Sequence, residues 1–263
     1  MKKASYKHIT SLSRWIMVTG LFTIYCSFGM GEATAQQYLG TNGLIHVPTA
    51  EMDSAGIARI GAHYVEKHMI PDGLKLRPEG TKFNSMTNYL SITPFRWIEM
   101  GYGYTLWKFH YNNNTSGQTG FYSKDRYFSL RLNLLYETAI LPSVVVGGND
   151  VWGSNDEGLS ASNFYRNYYL AVSKHFDLNG HTIGAHAAYR RWYRDYNKKW
   201  NGPVGGLTYR PAFLRPLRLI GEYDGDGVNI GADCLLFRHI LIQTSLQKCK
   251  YFSAGLCFQL QLL

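Results

Sequence analysis

The sequence predicts an all-β protein, an antiparallel transmembrane β-barrel of about 12 strands. Its 263 residues are 45% hydrophobic and 17% charged, with 27 glycines and 20 tyrosines, which excludes a disordered chain and suits a β-barrel. After the N-terminal region, no apolar run reaches the roughly 18 residues of a spanning helix. The stretch from Phe252 to Leu262 alternates apolar and polar side chains over 11 residues, about the length of a tilted membrane-crossing strand.

The first 35 residues have the features of an export signal. Four basic residues precede or border a 14-residue apolar core, Trp15–Phe28, and Ala33-Thr34-Ala35 forms an A-x-A cleavage site. We therefore expect residues 1–35 to be a signal peptide cleaved near Ala35, and the mature chain to lie in a Gram-negative outer membrane. A single N-terminal anchor is the alternative, although the core is short for one. Removing the signal lowers the formal net charge from +9 to +6.

The alternation divides the rest of the chain into two predicted parts. Residues 36–57 show no clean period and could be a periplasmic lead-in or a plug inside the lumen, whereas residues 58–263 form the barrel. Connectors that follow odd-numbered strands are mostly long and the others short, so the long set faces outward if both termini are periplasmic. The predicted strands lie near 58–65, 85–93, 98–105, 127–134, 143–151, 166–175, 183–190, 203–210, 218–224, 228–234, 240–247 and 252–262.

A spanning sheet must close on itself because lipid cannot satisfy an exposed backbone. In the membrane version the apolar side chains face lipid and the polar ones line the lumen. In a soluble lipid-binding barrel the faces are reversed, with Phe258, Leu260 and Leu132 packed inside. Besides Glu99, the predicted lumen-lining residues are Arg131, His186, Arg190, Arg218, Glu222, Asp224, Asp233 and Gln243.

Three groups of motifs occur in a characteristic order. Gly43–Ala50 reads GLIHVPTA, Leu141-Pro142-Ser143 precedes Gly147–Asp150, and Gly205–Tyr209 precedes the EYDG of residues 222–225 and Asn229-Ile230-Gly231. This order resembles the YjbH family. The resemblance implies an outer-membrane barrel associated with exopolysaccharide production or export. Two departures are that no lipobox is evident and that the chain has room for one barrel, whereas larger members hold two barrel-like units.

The segment Glu222–Gly227 carries several carboxylates close together. They could bind Ca²⁺ or act as an acid–base pair, but the spacing does not match a calcium-binding loop. Asp-Gly-Asp-Gly is also a strong hairpin turn, and we favour that interpretation. Glu222 and Asp224 would then point inward and pair with Arg131, Arg190 or Arg218.

His186 shares the predicted inner face. It could serve catalysis, but a polar network is favoured because no nucleophile motif is present. The three cysteines of the mature chain, Cys234, Cys249 and Cys257, are an odd number and are expected to be free thiols. Neither a cofactor nor a metal is predicted.

The run Arg190–Trp200 is basic and aromatic, as in sites that bind acidic glycans or the phosphates of lipopolysaccharide. It could equally be an interfacial aromatic girdle, where Trp and Tyr accumulate. The export signal argues against a nucleic-acid partner. The candidate residues of this predicted extracellular loop are Arg191, Trp192, Arg194, Lys198, Lys199 and Trp200.

The functional hypothesis is a barrel that assists exopolysaccharide or capsule export, as a pore or an accessory factor, and is not an enzyme. Its expected partners are outer-membrane lipid and lipopolysaccharide, an anionic polysaccharide, and other export proteins. Residues 253–260 resemble the C-terminal signal by which the bacterial barrel assembly machinery recognises outer-membrane barrels. This machinery is therefore a further expected partner. The alternatives are an outer-membrane lipid A or polysaccharide hydrolase and a soluble exported lipid-binding barrel.

Overall fold

The computed structural model describes residues 37–72, 82–110, 118–151 and 164–262, and the predicted signal peptide lies outside these ranges. The described residues form a closed barrel of twelve antiparallel strands, as the sequence predicts. The strands are β1 (Ile57–Val65), β2 (Ser85–Phe95), β3 (Ile98–His110), β4 (Thr119–Leu135), β5 (Ser143–Asn149), β6 (Asn167–Leu178), β7 (His181–Trp192), β8 (Gly202–Arg210), β9 (Leu217–Tyr223), β10 (Val228–Leu236), β11 (Ile240–Gln247) and β12 (Tyr251–Gln261).

The barrel closes between its first and last strands. β1 pairs with β12 in a register that runs from Ile57↔Gln261 to Tyr64↔Ala254. Every other strand pairs with its neighbours in sequence. Closure removes the unpaired strand edges that a membrane could not satisfy.

The alternation sorts side chains as the membrane version predicts. Phe128, Leu256 and Phe258 point outward and are 65%, 57% and 42% exposed, whereas Arg131 and Glu222 are buried in the interior. This orientation contradicts the soluble lipid-binding alternative, which requires the apolar side chains inside. Within the described ranges, no helix has the length and apolarity that a membrane crossing requires.

The N-terminal segment, residues 37–56, occupies the lumen, and we call it the plug. All residues from 37 to 51 are buried. Leu44, Ile45, Val47 and Ala50 pack against inward-facing apolar side chains of the wall strands. The structure therefore selects the plug over the periplasmic lead-in, an alternative that the irregular sequence of this segment leaves open.

The two ends of the barrel differ. The long-loop end is filled by an aromatic cluster that includes Trp107, Tyr127, Tyr165, Trp192 and Trp200 and packs against Tyr38 and Leu39 of the plug. Two short 3-10 helices, Lys67–Met69 and Asp195–Trp200, also lie in these long connectors. The short-turn end carries the tight connections between the strands.

The long connector predicted between the strands near 98–105 and 127–134 is mostly strand among its described residues. β3 and β4 continue pairing out to His110↔Thr119. Charged residues such as Lys124 interrupt the outward apolar face in this stretch, so the apolar–polar alternation ends here. The two strands nevertheless remain hydrogen-bonded beyond this point, because backbone pairing does not require contact with lipid.

Candidate functional site in the plugged lumen

Glu222 of β9 is the central attachment point of the plug. Its carboxylate accepts hydrogen bonds from the backbone N–H groups of Ile45 at 3.0 Å, His46 at 2.9 Å and Val47 at 3.1 Å. Asn229 adds a side-chain donor at 2.8 Å. Buried backbone donors outside a sheet need acceptors, and an ionised carboxylate is a strong one.

Arginines from the wall hold the plug through its carbonyl groups. Arg131 Nη2 donates to the carbonyl oxygens of Thr49 at 2.5 Å and Glu51 at 2.9 Å, and its Nη1 pairs with Glu99. Arg190 Nη1 donates to the His46 carbonyl at 2.6 Å. The guanidinium group suits this role because its several N–H donors can bridge two acceptors at once.

Two further arginines pair with plug side chains. Arg59 donates to Asn42 Oδ1 and to Asp53 Oδ1, both at 2.7 Å. Arg218 donates to Glu51 Oε2 and Asp233 Oδ2, both at 3.0 Å. These buried charges are therefore paired, as a low-dielectric interior demands.

The motifs noted in the sequence meet around the plug. Ser143 Oγ donates to the Ala50 carbonyl at 3.0 Å, so the LPS element holds the end of GLIHVPTA. Gly206 lies against Leu44, where a Cβ would come within 2.5 Å of the leucine Cδ1. Glu222 binds the same segment, and Asn229 donates to Glu222. The motifs thus form one interlocking plug site.

At the long-loop end, His46 joins the plug to the hairpin after β9. Its Nδ1 lies 3.2 Å from Asp224 Oδ2, and its ring contacts Trp200 edge-on, with 4.8 Å between the ring centroids. Burial and the guanidinium of Arg190 lower the pKa of His46 to about 4. Burial would raise the pKa of Asp224, but the hydrogen bond from His46 and the Asp226 N–H hold it well below its usual range. The pair is therefore a neutral imidazole donating to a carboxylate.

The short-turn end holds a cavity of about 410 Å³. Glu51, Ser173 and His175 line it, together with the turn after β2, the connector after β4 and the adjoining ends of β6, β7 and β8. Ser173 Oγ lies 2.8 Å from His186 Nδ1 and accepts the Ala50 N–H, also at 2.8 Å. Burial would raise the pKa of Glu51, but Arg218 and the hydrogen bond with His175 hold it well below its usual range.

All the residues that the sequence assigns to the lumen are buried. Their pairing differs from the expectation, since Glu222 is bound by plug N–H groups and Asn229 rather than by an arginine side chain. Arg190 reaches the backbone carbonyl of Asp224 at 3.1 Å. Gln243 Oε1 lies 2.9 Å from His63 Nε2. The plug, which has no strand period, accounts for this difference.

The expectation of an exposed aromatic loop at 190–200 needs correction. Trp192 and Trp200 are 2% and 0% exposed and belong to the interior aromatic cluster, since β7 continues to Trp192 and the next residues fold back as a 3-10 helix. Lys199 is half-buried and pairs with Asp72 at 3.2 Å, and Arg194 is also half-buried. Only Arg191 and Lys198 of the six candidates are exposed.

Sequence reasoning missed Arg59, Glu51 and His175 as site residues. Arg59 follows the inward period of β1, so a stricter use of the alternation would have found it. Glu51 lies in the aperiodic plug, and His175 is near the end of β6, so neither carries a comparable local signal.

The fold and site define a class of protein: a twelve-stranded membrane-type β-barrel whose lumen is closed by its own N-terminal segment. Residues 35–186, more than half of the chain, match the YjbH family, described as "Exopolysaccharide biosynthesis protein YbjH". The chain belongs to this family.

Comparison with solved structures found barrels of low similarity. The outer membrane phospholipase A from Escherichia coli is 11% identical with a TM-score of 0.37, covering 81% of this chain and 99% of its own. The Salmonella typhi outer membrane phospholipase dimer with bound calcium is 12% identical with a TM-score of 0.36, covering 78% and 90%. No curated protein sequence matches the chain.

Proposed function

We propose that this protein is an outer-membrane accessory factor in exopolysaccharide production or export, with a lumen that is kept closed. The family supplies the link to exopolysaccharide. The closed lumen is inferred from the plug, which is buried from residue 37 to residue 51 and is attached to the wall by Glu222 and four arginines. A polymer could not pass while these contacts hold.

The same contacts argue against a basic conduit for an anionic polymer. Arg131 and Arg218 are fully buried and already paired with Glu99, Glu51 and Asp233. Charge steering needs positive groups that a ligand can reach. Contact with polysaccharide or lipopolysaccharide is therefore assigned to the exterior of the long-loop end, where Arg191 and Lys198 are exposed.

Planar-bilayer conductance tests the closed lumen. The purified full-length protein should give no stable open current, whereas deletion of the plug, residues 37–56, or Glu222→Gln should produce openings. Asp195→Asn is the matched control, because this exposed acid pairs only at the surface with Lys198, at 3.1 Å. Stable open currents from the intact protein would refute the closed lumen.

A cellular assay tests the link to exopolysaccharide. A strain that lacks the gene should lose secreted polymer and recover it with the wild-type chain, which should fractionate with outer membranes and require detergent for extraction. Arg191→Glu combined with Lys198→Glu should reduce recovery if the exposed basic groups contact the polymer or lipopolysaccharide. Undiminished secretion without the gene would contradict the proposed role.

An outer-membrane hydrolase is the second candidate, and the contact between Ser173 and His186 favours it. A serine hydroxyl 2.8 Å from an imidazole nitrogen is the basic unit of nucleophilic catalysis. However, the other imidazole nitrogen faces Thr208 Oγ1 at 3.1 Å rather than a carboxylate. Hydrolysis of lipid A or polysaccharide by the purified protein, lost in Ser173→Ala, would support this candidate over the accessory role.

A further inference from the structure

We propose that Glu51, His175 and His186 form a binding site for a divalent transition metal, with Zn²⁺ the favoured ion, at the short-turn end of the lumen. This inference goes beyond the proposed function and does not depend on it. One ligand atom from each of the three side chains lies within 4.8 Å of those from the other two. Two imidazoles and one carboxylate are a common protein donor set for zinc.

The barrel wall and the plug position these three groups together. His175 of β6 and His186 of β7 come from neighbouring paired strands, and their ring centroids are 5.5 Å apart. Glu51 belongs to the plug, and its Oε1 lies 3.1 Å from His175 Nε2. A metal would take the place of the proton that this pair shares. Arg218 and Thr49, the latter at 3.3 Å, hold the Glu51 carboxylate in place.

The groups behind the donors match those of known metal sites. His175 Nδ1 lies 2.7 Å from Glu137 Oε2, which directs Nε2 toward Glu51. Such a carboxylate behind a histidine ligand fixes the ring and makes the ligand more basic. His186 differs, because both of its nitrogens have hydroxyl partners, Ser173 Oγ at 2.8 Å and Thr208 Oγ1 at 3.1 Å. A metal would displace one of these hydroxyl groups, and the other would keep the imidazole ring oriented.

The site has room for an exogenous ligand. Glu51 and His175 line the cavity of about 410 Å³, which reaches the short-turn end. Three protein ligands leave a fourth position for water, as in open zinc sites. The nitrogen donors favour Zn²⁺ over Mg²⁺ and Ca²⁺, which prefer oxygen.

Metal binding to the purified, tag-free full-length protein in detergent tests the proposal. Equilibrium dialysis against Zn²⁺ with excess Mg²⁺ should give one zinc per chain. His175→Gln and His186→Gln should each abolish this binding, and Glu137→Gln should weaken it roughly 10- to 100-fold. His181→Gln is the matched control: this residue is in β7 at the same end, and its Nδ1 is occupied by Tyr209 at 2.8 Å, so affinity should not change.

X-ray absorption of the zinc-loaded wild-type protein is a second measurement, and it does not depend on whether the variants fold. It should show nitrogen and oxygen ligands at about 2.0–2.1 Å, two of them imidazoles. The proposal is overturned if the wild-type protein binds no zinc, if both histidine variants bind it as the wild type does, or if the spectrum shows fewer than two imidazoles.

Discussion

Glu222 accepts the backbone N–H of His46 at 2.9 Å, which joins the plug to a wall strand 176 residues later in the chain. Among the described residues, neither the His46 N–H nor the Glu222 carboxyl group has a hydrogen-bond partner within its own segment. The plug offers several buried N–H groups without strand partners, and β9 presents a buried carboxylate without an arginine on it. Each therefore depends on the other, and the lumen stays filled.

The first prediction concerns this attachment. Glu222→Gln replaces the carboxyl group that accepts from three N–H groups and should lower the free energy of unfolding by about 1–3 kcal/mol. Hydrogen exchange at the amides of Ile45, His46 and Val47 should become faster, while exchange in the wall strands changes less. Asp195→Asn should alter neither quantity. Unchanged protection of the three amides would show that Glu222 does not hold the plug.

The second prediction concerns pH. His46 has a folded pKa of about 4, below the ordinary value of 6.5, so its neutral form is favoured by folding. Its contribution is complete above pH 6.5 and is lost as the pH falls from 6.5 to about 4, by about 3 kcal/mol in total. Glu51 and Asp224, whose pKa values are lowered, lose their contributions only at still lower pH.

Thermal unfolding of the wild type and His46→Gln between pH 7 and pH 4.5 measures this effect. The variant should be less stable at pH 7 but should lose less stability across the interval. His239→Gln, in the turn between β10 and β11, is the control and should follow the wild-type slope. Identical slopes for wild type and His46→Gln would contradict the buried neutral histidine.

The third prediction separates interior from exposed residues in the basic, aromatic run. Trp200→Ala should cost roughly 3–5 kcal/mol of stability because it empties a large volume inside the aromatic cluster. Lys198→Ala should stay within about 0.5 kcal/mol of the wild type. Urea unfolding of both variants gives the comparison. Similar small effects for the two would mean that Trp200 is not buried.

The fourth prediction tests the lipid-facing surface. Leu256→Arg places a charge near the middle of β12 on the outer face and should destabilise the barrel in vesicles by about 2–4 kcal/mol. Phe213→Arg adds the same charge at an 80% exposed site in the turn between β8 and β9, and should have little effect. Equal effects of the two substitutions would argue against a bilayer around β12.

The fifth prediction uses the native cysteines to determine orientation. Cys234, Cys249 and Cys257 form no disulfide in the part of the chain that the structure describes, and Cys249 is exposed in the turn between β11 and β12 at the long-loop end. A membrane-impermeant maleimide should label Cys249 on intact cells, and Cys249→Ser should abolish the signal. Labelling that appears only after the cells are opened would place the short-turn end outside.

Much of the fold could be predicted from the sequence because each strand contacts two different surroundings. The period-2 alternation in β12 and in the strand around Arg131 reports lipid on one side and a polar interior on the other. That signal is local; it is clear in seven of the predicted strands and weaker in the other five. It also identifies the inward residues, including Arg218 and Asp233, without knowledge of their partners.

The contacts inside the lumen could not be predicted in the same way. Glu51 and His175 are 124 residues apart, and the plug between Gln37 and Gly56 has no period that relates it to a particular strand. The burial of Trp192 and Trp200 depends on Tyr38 and His46, which the plug supplies. A basic and aromatic run alone does not distinguish an interior cluster from a surface.

The β1–β12 seam has a consequence for how the molecule is made. These strands are farthest apart in the order of synthesis, so the wall cannot be sealed until the final strand arrives, and until then the plug is accessible from the side. Once Ile57 is matched to Gln261, the buried arginines and their partners are shut away from solvent. Loss of β12 alone would leave an open flank beside the plug.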